Sequence, residues 1–370
     1  MKAIRLSSRR RSNLQHKLLR WYLSAHRHLP WRKTRDPYAI WISEIMLQQT
    51  QTVKVLEYYE KFLQRFPDFQ ALAAAKLDDV LKAWEGMGYY ARARNLHRAA
   101  RHVADRLQGI FPADYDQLLK IPGIGPYTAA AVASIAFNRD HAVVDGNVER
   151  VLSRIFLIDL PPKSSAARPV FRLLAQDFLR RGQARNWNQA LMELGAIICT
   201  PKSPRCEECP AQNYCGARLQ LVDPARLPRR LVKAPRPHRH VAVGLIWKYR
   251  RLLIDQRPEN GLLGGLWEFP GGNLEPGESP QEALRREVRK NLSVEVAVGN
   301  KFMEIAHAFT HFSITLHVYN CRHVRGRPHA RGCRAWKWVP PEDLRQYAFP
   351  TANRKIIAAI LQEAGDNETH

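Results

Sequence analysis

The hydrophobic period of this chain changes once, and that change limits the folds open to it. From about residue 13 to 220, apolar residues recur at three and four, as in "VKVLEYYEKFLQRF", "LDDVLKAWEGMGYYARARNLHRAARHVADRL" and "RPVFRLLAQDFLRRG". That spacing puts an apolar stripe on a helix. Phe66–Pro67, Phe111–Pro112, "IPGIGP" and "LPP" divide the run into separate helices. Beyond residue 240 the apolar runs are short and β-branched ("HVAVGLIWKY", "RLLIDQR", "VEVAVG", "FSITLHVYN"), with one helical stretch at "SPQEALRREVRKNL". A helical period does not sit on a sheet, nor an alternating one on a helix. The expected fold is therefore multidomain: an all-α domain over residues 1–222, then a smaller α+β domain over 239–370. Residues 223–238 read as a linker rich in proline and basic residues, since Arg226 to Arg239 contains six Lys/Arg and no acid.

The 370 residues carry a formal net charge of +24, which points to a polyanionic partner, nucleic acid or an anionic membrane. Nothing approaches an 18-residue apolar run, so no spanning helix is expected. Residues 1–35 hold eleven Lys/Arg, and the first acid is Asp36. Transit peptides share that composition, but "LQHKLLRWYLSAHRHLPW" runs at helical spacing straight into the folded part. A soluble, monomeric, bacterial cytoplasmic protein is expected, with a nuclear address left open.

Cys199, Cys206, Cys209 and Cys215 place four thiols in 17 residues, a density that implies a metal site in an intracellular chain. Zinc sites usually pair two C-x2-4-C knuckles; here there is one C-x2-C with long outer spacings, which a [4Fe–4S] cluster accepts. Zinc and a chance grouping remain the alternatives. Cys321 and Cys333 read as ordinary core cysteines.

"LLKIPGIGPYTAAAVASIAF" reads as helix, tight turn, helix. Gly123 and Gly125 permit positive φ and leave backbone N–H groups unobstructed beside a helix N-terminus. The turn suits a phosphate, through a bound cation or directly, or it is a plain helical hairpin. In "WISEIMLQQTQ", Glu44 lies one turn from Ile40 and Trp41 and one turn from Leu47 and Gln48. A carboxyl against such a surface has a raised pKa and acts as an acid near neutrality; most helical Glu residues instead face solvent. Asp145 in "VVDGNV" stands where an N-cap for the next helix belongs.

Together "LPWR", "WISEIMLQQTQ", "GMGYYARARNL", "IPGIGPYTA", "VVDGNVERVL", "NQALMELGAIIC" and the cysteine spacing resemble the MutY adenine-DNA glycosylases of the helix-hairpin-helix superfamily, from about residue 28 to 216 and more weakly beyond. The resemblance implies a [4Fe–4S] cluster in the loop 199–215 and a duplex DNA partner containing A:8-oxoguanine or A:G. It implies that Glu44 protonates adenine at N7, that Asp145 stays ionised and stabilises the developing sugar cation, and that Asn147 keeps the site in order. Two carboxyls with separated pKa values suit glycosidic cleavage. Endonuclease III-type lyases place a nucleophilic Lys where Tyr127 stands, so the expected reaction is hydrolytic, with Tyr127 supporting the sugar. Base flipping leaves a gap; Gln49 and Tyr89 match residues that wedge beside 8-oxoguanine, Thr50 one that touches it, and Met87 a usual Leu. Arg32 and Glu193 match residues of the adenine pocket.

"GGLWEFPGGNLEPGESPQEALRREVRKNL" resembles a Nudix box, with Gly272, Glu278, Arg286 and Glu287 in place and Lys290 and Asn291 where two acids belong. Those acids hold Mg2+ on a pyrophosphate, so a Nudix-like fold without hydrolysis is expected. Phe309, Thr310 and His311 match the family's Phe-Ser-His loop that reads 8-oxoguanine; by itself the stretch is a turn between strands. A lyase, a Nudix hydrolase and a non-enzymatic DNA-binding protein are the competing readings. Tyr127, the pair Lys290 and Asn291, and the pair Glu44 and Asp145 argue against them in turn.

Overall fold

The structure is a computed structural model that describes residues 4–162, 164–229 and 235–368, with side chains to residue 363. It divides into two compact units: residues 1–73 with 98–233, and residues 74–97 with 234–370. A contiguous boundary at residue 222 does not anticipate the placement of 74–97. Residues 230–234 of the expected linker lie outside the described residues. The part before them is packed down: Leu227 is buried with Leu157 and Ala217.

The helices are α1 (Ser8–Ala25), α2 (Pro37–Leu47), α3 (Thr52–Arg65), α4 (Phe69–Ala74), α5 (Leu77–Ala83), α6 (Ala91–Arg106), α7 (Tyr115–Leu119), α8 (Pro126–Ile135), α9 (Gly146–Phe156), α10 (Ala167–Asp177), α11 (Ala184–Glu193) and α12 (Gly216–Gln220). In the first unit, apolar faces of α1, α9, α10 and α11 close one core around Leu14, Leu18, Val151, Phe171, Phe178 and Trp187. Two helices have no polar face. In α2 every residue from Tyr38 to Met46 is buried, and α8 is buried from Thr128 to Ile135. Such helices belong to the middle of a domain, so a polar residue on either needs a partner or a task. Asp36 caps α2 through Tyr38 N–H and Ala39 N–H, and Asp145 caps α9 through Val148 N–H.

The second unit is built on a seven-stranded sheet: β1 (His238–Lys248), β2 (Arg251–Gln256), β3 (Trp267–Glu268), β4 (Gly271–Asn273), β5 (Glu295–Ala308), β6 (Ser313–Arg325) and β7 (Ala335–Val339). The order is β3-β2-β1-β6-β5, with β4 on β1 and β7 on β2. The pair β1 and β6 is parallel, the other pairs antiparallel. Alternation assigns the faces: Ala242, Ile246 and Leu253 pack on α13 (Pro280–Leu292), while Val243, Leu245, Leu252 and Ile254 pack on α14 (Thr351–Glu368). Ser279 and Glu282 form a capping box on α13. Residues 74–97 belong with this unit through Gln256 Nε2 donating to Asp78 (2.9 Å), Lys82 to the Tyr347 carbonyl (3.0 Å) and the Phe349 N–H to Glu85 (2.9 Å).

Candidate active site

A cavity of about 160 Å3 opens in the helical unit among Glu44, Tyr127, Asp145, Asn147, Arg32 and Glu193. These are the residues expected to carry chemistry or to line the base pocket. They come from α2, α8, α9, α11 and the Pro30–Arg32 turn, so the fold assembles them across up to 161 residues of chain.

Glu44 is 5% exposed, on the buried α2. Burial pushes its pKa up to about 7; the nearby Asp145 charge adds to the rise, and the Tyr127 hydroxyl and Arg32 oppose it. The Tyr127 hydroxyl donates to Glu44 Oε2 at 2.7 Å. This bond was not foreseen, because the two residues are 83 apart and neither carries a local signal for the other. Asp145 Oδ1 accepts from Val148 N–H at 2.7 Å, and Oδ2 from the Asn147 amide at 2.9 Å. Burial raises the Asp145 pKa, while these donors and Arg150 hold it down. Asn147 is fixed in turn by Arg150 (2.8 Å), which also donates to the carbonyls of Gly195 (2.6 Å) and Cys199 (2.7 Å).

Glu193 is fully buried and doubly paired. Arg27 donates from its backbone N–H and its guanidinium, and Arg32 donates to Oε2 at 2.7 Å. Burial alone would raise its pKa; the two arginines hold it at about 2. Arg27 was missed at the sequence level, although it lies two residues before the "LPWR" motif. Gln189 and Met192, one turn and one residue before Glu193, also line the cavity.

The expected wedge residues share an uncommon backbone. Gln49 (φ 57°) and Tyr89 (φ 48°) are both left-handed non-glycine residues, a conformation that concentrates at functional sites. Tyr89 is 41% exposed, whereas Met87 is buried. Thr50 lines the cavity. In the hairpin only Gly123 has a positive φ (82°). Gly125 is extended (φ −95°) as N-cap of α8, with nothing within 4 Å of a Cβ placed there. Gly125 therefore does not turn the chain through a positive φ.

In the second unit the loop 309–312 links β5 to β6, and His307 and Ala308 are the last residues of β5. Phe309 stacks on Phe312 (4.7 Å) and Thr310 Oγ1 lies 2.6 Å from the Tyr89 hydroxyl. His311 is exposed.

The four clustered cysteines line one small cavity, together with Arg154, whose guanidinium donates to Cys199 Sγ at 3.3 Å. Burial pushes the thiols of Cys209 and Cys215 up to about 12 and 11. Among the described residues, no group of three or more His, Cys, Asp or Glu is set to hold a metal ion as it stands. The donor set, four thiols on one cavity beside a cation, still has the chemistry of a thiolate-bound cluster.

Residues 42–175 match the HhH-GPD superfamily of base excision DNA repair proteins, and residues 242–359 the NUDIX domain. The chain is 35% identical to the adenine DNA glycosylase of Rattus norvegicus, over 92% of this chain and 76% of that protein. It is 34% identical to that of Homo sapiens, over 92% and 72%. The chain belongs to the adenine DNA glycosylase family. It is thus a DNA glycosylase of base excision repair, with DNA as its partner and a helix-hairpin-helix domain followed by a Nudix domain. A solved thermostable thymine-DNA glycosylase covers 57% of this chain and 97% of its own, at TM-score 0.52 and 31% identity. No described helix is long and apolar enough to cross a membrane.

Proposed function

We propose that this glycosylase hydrolyses the N-glycosidic bond of adenine mispaired with 8-oxoguanine or guanine. The observation that carries the reading is Glu44: a carboxyl on a helix with no polar face, with its pKa near 7, in one cavity with Asp145. A group with that pKa is about half protonated at neutral pH and can give its proton to a purine nitrogen. Asp145, held by the Val148 and Asn147 donors, faces the sugar and offsets the positive charge that grows as the base leaves. The ionised Glu193 and Arg32 offer an acceptor and a donor to the flipped adenine. Tyr127 orients the acid and flanks the sugar; with no amine at that position, water completes the reaction.

Gln49, Thr50 and Tyr89 fill the gap in the duplex, with Met87 buried two residues before Tyr89 in the chain. Phe309, Thr310 and His311 read 8-oxoguanine. The α8 N-terminus, kept open by Gly125, receives a phosphate with a cation at Gly123. Cys199, Cys206, Cys209 and Cys215 would hold a [4Fe–4S] cluster, which when bound would staple the loop 199–215. The protein acts as a monomer in the bacterial cytoplasm, its helical part ending near residue 222.

Single-turnover release of adenine from an A:8-oxoguanine duplex, with wild type beside Glu44→Gln, tests this. Release by wild type and its loss in the variant, with duplex binding kept, is expected. Strand cleavage at an oxidised pyrimidine without adenine release would replace this reading with a lyase.

A further inference from the structure

The hairpin that joins β1 to β2 is built from residues that its geometry disfavours. Lys248 ends β1, Tyr249 and Arg250 form the loop, and Arg251 begins β2. Tyr249 (φ 47°) and Arg250 (φ 59°) are both left-handed. A two-residue loop of that conformation favours Asn-Gly, because a Cβ crowds the following carbonyl oxygen. Lys248 and Arg251 stand directly opposite each other in the strand register, and like charges so placed weaken a sheet. Tyr249 is also 89% exposed, so its ring gains almost nothing from burial.

Little in the fold offsets these choices. Lys248, Arg250 and Arg251 make no side-chain hydrogen bond or ion pair among the described residues. The Lys248 ammonium lies near two aromatic rings instead, Tyr249 at 5.7 Å and Trp338 at 5.9 Å. Trp338 in turn meets His323 edge-on at 5.6 Å. Residues that break local rules without a structural gain mark a functional site. Three unneutralised cations around an exposed ring match a strand of nucleic acid, with phosphates for the cations and a base face for the ring. An acidic peptide would satisfy the cations and leave Tyr249 unmatched. Bases in a duplex already have their faces covered, so the ring calls for an unpaired base.

This hairpin is remote from the loop 309–312. Strand β1 starts beside that loop, with His238 paired to Ser313, and its 11 residues carry the chain about 35 Å to Lys248. One base pair does not reach both ends. We propose that the β1–β2 hairpin is a second DNA contact, one that takes single-stranded DNA. A base stacks on Tyr249, and the phosphates on either side meet Arg250 and Arg251, with Lys248 adding positive charge beside the ring. None of this depends on which mismatch the glycosylase site accepts.

The test uses the full-length protein already holding one equivalent of duplex DNA. A short fluorescent oligothymidylate is added and its anisotropy followed. Saturable binding is expected, with the duplex retained. The double variant Tyr249→Asn, Arg250→Gly should weaken that binding about tenfold or more. Arg251→Thr should make its salt dependence shallower by about 0.7 in log–log slope, the share of one phosphate. The double variant installs the residues that this turn favours, so its denaturation midpoint should equal or exceed that of wild type, with adenine release unchanged. Weaker binding then does not come from misfolding. With one thymine replaced by 5-iodouracil, ultraviolet cross-linking should recover the peptide that contains Tyr249. Displacement of the duplex by the oligonucleotide, equal binding by wild type and both variants, or cross-linking only elsewhere would overturn the proposal. So would tighter binding of oligouridylate, which would assign the hairpin to RNA, or equally tight binding of oligoglutamate, which would assign it to an acidic protein.

Discussion

Replacing Glu44 by Gln should abolish adenine release and, at alkaline pH, make the protein more stable. The carboxyl goes from its ordinary value of 4.5 to about 7 in the folded chain. A raised acid is at no disadvantage below the unfolded value and loses stability as pH rises through the folded one. At pH 8 the unfolded chain gains from ionising over about 3.5 pH units and the folded chain over about 1, a difference worth about 3 kcal/mol against folding. At pH 5 the same comparison leaves about 1 kcal/mol. Gln has nearly the same shape, carries no charge, and keeps an oxygen for the Tyr127 hydroxyl. The expected result is a denaturation midpoint higher in Glu44→Gln than in wild type at pH 8, with the gap closing toward pH 5. Chemical denaturation followed by circular dichroism measures it. A variant less stable than wild type at pH 8, or a gap that does not change with pH, would refute the claim that burial holds this acid protonated.

Four further outcomes are expected. Tyr127→Phe removes a hydrogen bond that favours the ionised acid, worth about 1.5–3 kcal/mol, so the alkaline limb of the single-turnover pH profile should move up by about one to two pH units; a limb that stays or moves to acid pH would show that Tyr127 does not govern Glu44. Asp145→Asn should cut release by about 10²–10³-fold while duplex binding by gel shift persists, the scale typical of losing one electrostatic stabiliser. Arg32→Ala leaves the buried Glu193 with one guanidinium and should cost about 3 kcal/mol in a denaturant titration at pH 7. Since the folded Glu193 pKa is about 2, its contribution is present above pH 4.5 and lost toward pH 2, and the variant should lose it at higher pH. Wild-type protein purified anaerobically should be brown, with equal iron and acid-labile sulfide, and Cys206→Ser should lose both; bound zinc in their place would overturn the cluster assignment.

Local order was legible where a residue acts on its chain neighbours. Asp145 before Gly146 read as a helix cap, and Ser279 with Glu282 sits at the start of a stretch that read as helix. The strands β1, β2, β5 and β6 read from their β-branched runs, but β3, β4 and β7 are two, three and five residues long, too short to show a period. Helix α14 was not foreseen, although Ile356, Ile357 and Ile360 repeat on the face that it buries. At the site, Glu44 stood out because an acid interrupts an apolar run, whereas Arg27 looked like one of many basic residues near the N-terminus.

The sequence by itself determined that a helical domain precedes an α+β one, because hydrophobic period acts over four residues and needs no distant partner. It also determined which residue types were available: two carboxyls, a tyrosine in place of an amine, four close cysteines, and a lysine where a metal-binding acid belongs. Only the tertiary structure decided that α2 has no solvent face, that Tyr127 meets Glu44 across 83 residues, and that two arginines hold Glu193 ionised. A pKa depends on what surrounds a group from every side, and the partners of Glu44 and Glu193 come from elsewhere in the chain.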